Sequence, residues 1–420
     1  MKSSFGFRGR TLLATAFLAF FSLGAQQLNA ATVQVGGCIV GLVNFTTIQA
    51  AVTASPAGSI IKVCPGNYPE QVVINKKLTL TGVNSAAAYN PTLVIPSGGF
   101  VANTTSLTNG HAIAPQILVE SPATAVTISY LGVDGSGNNF VNCGDPRLIG
   151  IYYQNASGTV NYVVAKNQAM TDQFGCQDSA GLGIFVQSKS PSTSTVTIEN
   201  STVRGYQKNG ITGNEVGTTV AIIGNAVVGA GPVGTAQNGI QVGFGATGKV
   251  QNNTVADDVY NGDPANGTAS GILIYDSGNM MITGNSVSDT QNGIPIVTDG
   301  SFPADNNGVA TNHVSDTHLG DGIDLCSNNN TVTGNIVFSS GQAGIHMDSS
   351  CGSTGNNNSV SKNIVNEACA GLLLGNGTGN TFPFPNTVAN VVNASLAGDS
   401  CSPTILSPKQ PRPSFSAARP

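Results

Sequence analysis

Ser270-Gly271-Ile272-Leu273-Ile274-Tyr275-Asp276-Ser277-Gly278-Asn279-Met280-Met281-Ile282-Thr283-Gly284-Asn285-Ser286-Val287-Ser288-Asp289 is the stretch whose reading decides the fold. It holds short apolar runs, each opened or closed by Gly and Asn. None reaches the ten or so residues of a helix, and the Ile and Val content suits short strands. The Gly, Asn, Asp, Ser and Thr between the runs tolerate tight turns and left-handed backbone.

Working outward, the unit recurs. A Gly-Ile or Gly-Leu pair begins at Gly150, Gly183, Gly210, Gly239, Gly271, Gly293, Gly322, Gly344 and Gly371, with 22 to 33 residues between successive glycines. An Asn series, Asn200, Asn225, Asn253, Asn285, Asn312, Asn335, Asn363 and Asn390, interleaves with it from Gly183 onward. A period of this length marks a repeat architecture. One unit of two or three short strands cannot bury its apolar side alone, whereas stacked units bury a continuous core. The reading is an all-β parallel β-helix of about eleven or twelve coils, a rod of roughly 50–55 Å at the spacing of paired strands. The spacing does not set its handedness. Alternation along the strands places Ile184, Val186, Ile211, Ile240, Val242, Ile272, Ile274, Ile294, Ile296, Ile323, Leu325, Ile345, Met347, Leu372 and Leu374 in the core. Two structural roles are open to the Asn series: a ladder of amide hydrogen bonds along the stack, or a row of left-handed turn positions.

The chain resembles the right-handed parallel β-helix repeat proteins of the pectin-lyase-like superfamily over roughly residues 46–400. The resemblance rests on the two repeat series and on the opening Thr47-Ile48-Gln49-Ala50-Ala51-Val52 … Ile61-Lys62-Val63-Cys64-Pro65-Gly66-Asn67-Tyr68-Pro69-Glu70 … Leu78-Thr79-Leu80-Thr81-Gly82. It implies a right-handed, single-stranded parallel β-helix. It leaves function open, because the same fold hosts lyases, hydrolases, esterases, epimerases and adhesins.

The ends of the chain read differently. Residues 1–30 combine basic Lys2, Arg8 and Arg10, an apolar run from Thr11 to Gly24, and small residues around Ala30, which is the pattern of an export signal. Thr46-Thr47-Ile48-Gln49 has the form of a capping box, with Thr46 as N-cap and Gln49 three residues on. It opens a short helix that covers the N-terminal end of the β-helix, which spans residues 31–401. Residues 402–420, with five Pro and the basic Lys409, Arg412 and Arg419, read as a disordered tail.

Composition narrows the function. Charged residues are 9% of the chain, there is no Trp, and the formal net charge is −5. Without the three basic groups of residues 1–30, the charge of the exported part is −8 (13 basic minus 21 acidic residues). Nucleic acid, which requires basic stripes, is excluded as a partner, and no apolar run spans a membrane. The expected location is extracellular or periplasmic, and the expected form a monomer. The eight Cys pair by coil spacing as Cys38 with Cys64, Cys143 with Cys176, Cys326 with Cys351 and Cys369 with Cys401, separated by 26, 33, 25 and 32 residues. Residues one coil apart stack within disulfide reach.

Between Lys249 and Lys362 there is no Lys or Arg, yet eleven Asp and three of the four His fall there. With Ile323 and Ile345 inward, Asp324 and His346 point outward from the same slot of adjacent coils, with Asp348 two residues on and Asp321 and His318 in the turn before. Asp321, Asp324, His346 and Asp348 are the candidate catalytic groups, since paired carboxylates divide acid and base roles in glycoside hydrolysis. His318, Gln241 and Tyr275 are candidate substrate contacts. No cofactor is required, although carboxylates and turn carbonyls suit Ca²⁺. Asp321-Gly322-Ile323-Asp324 also resembles the Asp-Gly-Ile-Asp of polygalacturonase-type hydrolases, in which the first Asp is catalytic. This chain departs from that pattern: Ala343-Gly344 stands where an Asp-Asp pair opens the next coil, and the Gly-His-Gly and Arg-Ile-Lys motifs are absent. The expectation is a polysaccharide-binding or polysaccharide-hydrolysing protein. The alternatives are a non-catalytic adhesive solenoid and a polysaccharide lyase using Lys208, Arg204 or Arg147. A copper-enzyme maturation role is disfavoured by the scarcity of Met and His.

Overall fold

The computed structural model describes residues 29–83, 91–138, 140–143, 146–170, 181–263, 267–398 and 401. The predicted export signal and C-terminal tail lie outside these residues, apart from 29 and 30. Each regular coil carries three strands. The coil that holds the opening stretch runs through Ser270–Tyr275, Met281–Thr283 and Ser286–Thr290. The strands of successive coils pair in parallel, so that Ile211, Ile240 and Ile272 fall in one column; the short strand Thr104–Thr105 instead pairs antiparallel with Ala112–Glu120. The strands form a 13-stranded sheet along one side and a 23-stranded sheet that wraps the other two. One apolar core runs from Val33 to Leu372 without a break. All fifteen positions assigned to it from the sequence are buried except Leu374, which is partly buried against it.

The Gly-Ile signature has a steric cause. A Cβ built on Gly271 would lie 2.3 Å from Cγ1 of Val287, and one on Gly322 would lie 2.3 Å from Cγ1 of Val337. The Val that follows each Asn therefore occupies the space that a side chain on the Gly would need, which is why the two series travel together. Neither glycine has a positive φ. Close approach, not turn geometry, requires them.

Of the two roles open to the Asn series, the structure assigns one to the middle of the series and the other to its ends. Asn225, Asn253, Asn285, Asn312, Asn335 and Asn363 form a buried ladder that ends on Asn386. Each Nδ2 donates to the next Oδ1 at 2.9–3.0 Å, and each backbone N–H does the same at 2.9–3.0 Å. Asn200 and Asn390 are instead exposed left-handed turn residues with φ of 50° and 51°. Ser201 takes the ladder position beside Asn225.

The N-terminal helix, Ile48–Ala54, covers the end of the core with Ile48, Ala51 and Val52. Its N-cap is Thr47, one residue later than the capping box implied, and Thr47 Oγ1 accepts from Ala50 N at 3.1 Å. The Glu70 carboxylate receives the N–H groups of Ile48 and Gln49, both at 2.8 Å. The Gln49 side chain is turned to the first coils, where its Oε1 accepts from Val73 N at 2.7 Å. Three of the expected disulfides are present, Cys38–Cys64, Cys326–Cys351 and Cys369–Cys401, with Cα–Cα distances of 5.8, 6.0 and 6.0 Å. Cys176, and with it the fourth pairing, lies outside the described residues.

Candidate functional site

The strand Ile323–Cys326 pairs with Ile336–Met347 so that Ile323 faces Ile345 and Asp324 faces His346. The two Ile enter the core, and alternation sends Asp324 and His346 to the outer side of the same sheet. They belong to a column in which Pro295 precedes Asp324 and Leu373 follows His346. Asp321 stands just before the strand, and Asp348 just after the paired one.

Three of the candidate residues are therefore gathered around the imidazole of the fourth. His346 Nδ1 lies 3.0 Å from Asp321 Oδ2 and 4.0 Å from Asp324 Oδ1, and Nε2 lies 4.0 Å from Asp348 Oδ1. Asp321 is held from its other side, where Oδ1 accepts from Ala343 N at 2.8 Å. His346, Asp324 and Asp321 are almost wholly buried, while Asp348 reaches the surface. Burial alone would lower the pKa of the imidazole. Asp321 outweighs that effect by charge and hydrogen bond, and with Asp324 and Asp348 raises it to about 9. These carboxylates favour the imidazolium form of His346 at neutral pH.

The same cluster has the residue types of a metal site, since ligand atoms of Asp321, Asp324 and His346 all lie within 4.8 Å of one another. A mixed imidazole and carboxylate set suits transition metals rather than Ca²⁺. A second grouping, Cys326, Cys351 and Asp348, offers no thiolate, because the two Cys are bonded to each other.

The candidate substrate contacts fall elsewhere. Gln241 is buried in an amide network, accepting from Asn209 Nδ2 and donating to Asn214 Oδ1, each at 3.0 Å. Tyr275 lies two coils before Asp324, with its ring centroid 5.5 Å from that of Phe244 and its hydroxyl donating to Asp299 Oδ2 at 3.0 Å. His318 is half-exposed and 3.9 Å from Asp289, in a shallow cleft with Asp316, Ser340 and Glu367. No described contact joins it to Asp321 or His346. Among the basic residues, Lys208 and Arg147 are buried, Lys166 pairs with Asp134 at 3.0 Å, and Arg204 is exposed.

Sequence reasoning passed over a second acidic pair. Asp276 and Asp299 follow the strands Ser270–Tyr275 and Ile294–Val297 of successive coils. Burial, opposed by a hydrogen bond from Thr298 and reinforced by the neighbouring Asp299, raises Asp276 to about 6. Burial also pulls Asp299 upward, but hydrogen bonds, from Ser301 first, bring it below the usual carboxylate range. The available signal was that each Asp lies within two residues of the end of the Gly-Ile strand of its coil.

The family model described as "Right handed beta helix region" matches residues 194–386. No curated protein matches the chain by sequence. Among solved structures, the mannuronan C-5 epimerase A-module of Azotobacter vinelandii is similar at 12% identity and a TM-score of 0.54, over 88% of this chain and 95% of that one. The catalytic domain of an α-1,3-glucanase in complex with nigerose is similar at 15% identity and 0.59, over 88% and 67%. A surface adhesin of Streptococcus pneumoniae is similar at 14% identity and 0.51, over 86% and 92%. At these identities the likeness is one of fold.

Proposed function

We propose that this chain, whose fold is a right-handed parallel β-helix, binds and hydrolyses a neutral or weakly charged polysaccharide outside the cytoplasm. The observation that carries this reading is the set of three carboxylates around the buried imidazolium of His346. Asp321, engaged by both His346 and the Ala343 amide, positions the ring. Asp324 and Asp348 flank the two ring nitrogens and are the candidate acid–base pair of glycoside hydrolysis. The imidazole ring lies between them, 4.0 Å from each. An acidic face without Lys or Arg repels polyuronates, which favours neutral glycans. The location is supported by the disulfides, which form in an oxidising compartment. No helix among the described residues is long and apolar enough to cross a membrane.

The test is a screen of the purified protein on neutral and acidic polysaccharides, following reducing ends and the absorbance of unsaturated products. Reducing ends without absorbance, abolished in Asp324→Asn and Asp348→Asn, are the expected result. Absorbance would replace the hydrolase by a lyase and move the chemistry to Lys208, Arg204 or Arg147, of which Arg204 is the exposed one. The second reading, a binding solenoid without catalysis, is favoured by the completeness of the ion cluster: a buried imidazolium matched by carboxylates is also a structural solution. Retention on a glycan array with no product, unchanged in Asp348→Asn, would select it.

A further inference from the structure

The turns after Ser270–Tyr275 and Ile294–Val297 set two carboxylates side by side, one coil apart. Register places Tyr275 against Val297, so Asp276 meets Thr298 and, beyond it, Asp299. Asp276 is wholly shut off from solvent. Its Oδ1 accepts from Thr298 Oγ1 at 2.7 Å and from Asp299 N at 3.0 Å. Its Oδ2 is buried and receives no hydrogen bond. Asp299 is exposed, its Oδ1 taking the Ser301 amide at 2.8 Å and its Oδ2 the Tyr275 hydroxyl at 3.0 Å. No described ion pair reaches either carboxylate, and residues 250–361 contain no Lys or Arg.

A buried carboxylate oxygen without a donor is costly, and a second carboxylate beside it adds repulsion. A cation removes both costs. We propose that Asp276 and Asp299 bind a hard divalent cation of the Ca²⁺ class, through Asp276 Oδ2, the Asp299 carboxylate and the Tyr275 phenol oxygen. The donors are all oxygen, which selects against soft metals, and their irregular arrangement suits the flexible shell of Ca²⁺ better than the strict octahedron of Mg²⁺. With three protein oxygens and water completing the shell, affinity falls in the range of weak extracellular sites, a Kd on the order of 10⁻⁴–10⁻³ M. The bound ion fixes the turn whose Thr298 carbonyl receives the Gly352 amide beside the Cys326–Cys351 link. The site is separate from the His346 cluster and does not depend on the hydrolase reading.

The chain lacks Trp, so tyrosine is the donor for sensitised terbium emission, and Tyr275 would touch the ion. Tb³⁺ is titrated into the full chain under tyrosine excitation, then displaced with Ca²⁺, and Ca²⁺ binding is read in parallel by calorimetry. Emission that rises with Tb³⁺ and falls with millimolar Ca²⁺ is expected. Asp299→Asn, an exposed and fold-neutral change, should weaken Ca²⁺ at least tenfold, as should Asp276→Asn. Tyr275→Phe should lose most emission yet keep calorimetric binding, and Asp321→Asn should behave as wild type. Absence of binding up to about 10 mM Ca²⁺ (ten times the weak limit), unchanged affinity in Asp299→Asn, full emission in Tyr275→Phe, or loss of binding in Asp321→Asn would each overturn the proposal.

Discussion

At the scale of single residues, two buried titratable groups both lose stability as pH rises, over different ranges. His346 is held protonated in the fold, with its pKa raised from 6.5 to about 9 by Asp321, Asp324 and Asp348. A base whose pKa is raised by folding contributes its full stability below the unfolded value and loses it as pH rises through the folded one. Stability should therefore fall between about pH 6.5 and pH 9, by roughly 3 kcal/mol from this group, and His346→Gln should flatten that slope in denaturant titrations. Proton titration of the ring by NMR checks the cause directly: a midpoint near 6.5 would refute it. Asp258 acts in the same direction but from a lower pH. It is fully buried, and its pKa is pushed well above the carboxylate range by burial, against a 2.6 Å hydrogen bond from the Tyr206 hydroxyl. An acid raised in this way costs stability as pH climbs from about 4 through its folded value. Asp258→Asn should thus raise the unfolding midpoint at pH 8 and leave it nearly unchanged at pH 4. Equal effects at both pH values would show that Asp258 is not protonated in the fold.

At the scale of elements, the ladder and the turn give different meanings to one residue type. Asn285 accepts the N–H and the Nδ2 of Asn253 and donates to Val250 O and Asn312 Oδ1, with every bond between 2.9 and 3.0 Å. Asn285→Ala leaves several buried polar groups unpaired and should cost about 2–4 kcal/mol. Asn200→Ala, at an exposed turn, should cost about 1 kcal/mol through its left-handed φ. Comparable losses in the two variants, measured by chemical denaturation, would deny the ladder its role. The recurrence of Asn was legible in the sequence because stacked amides repeat with the coil. The two turn residues were grouped with the ladder because they stand within a few residues of its column: Ser201 fills the ladder position after Asn200, and Asn386 fills it before Asn390. A second ladder, Asn307 to Asn330 to Asn358 to Asn380, with each amide N–H on the next Oδ1 at 2.7–2.9 Å, went unread. Its trace is the repeated Asn runs at Asn306-Asn307, Asn328-Asn329-Asn330 and Asn356-Asn357-Asn358. The gathering of Asp324 and His346 was legible, since alternation and coil spacing suffice for it. The Asp321 hydrogen bond to Ala343 was not, because it depends on the path of a turn. His318 shows the same limit: three residues before Asp321 in sequence, it faces Asp289 instead.

At the scale of the whole molecule, the rod has unequal ends. The N-terminal end is closed by the helix Ile48–Ala54 and fastened by Glu70. At the C-terminal end, Thr387–Ala389 and Asn393–Ala397 are largely exposed, and Phe384 and Val392 are 54% and 63% accessible. Stability in a stacked repeat is a sum of nearest-neighbour terms, so an end coil with one neighbour opens first. Amide exchange should be fastest at Thr387–Ala397 and slowest in the central coils around Ile240 and Ile272. Reduction of Cys369–Cys401 should widen this difference without reaching Ile240. Uniform protection along the rod would mean that the molecule opens as one unit.

The coils differ in length by up to eleven residues between successive Gly positions, yet their strands stay in register. Extra residues leave through the turns, and the rise does not change. Distance along this molecule is therefore counted, not continuous. Two side chains in one outward column stand one step apart, or two, and no intermediate spacing is on offer. A binding face can lengthen only by duplication of a coil. A mutation that alters the reach between Asp324 and His346 must insert a whole storey between them, and deleting a few residues from a turn will leave that reach where it was.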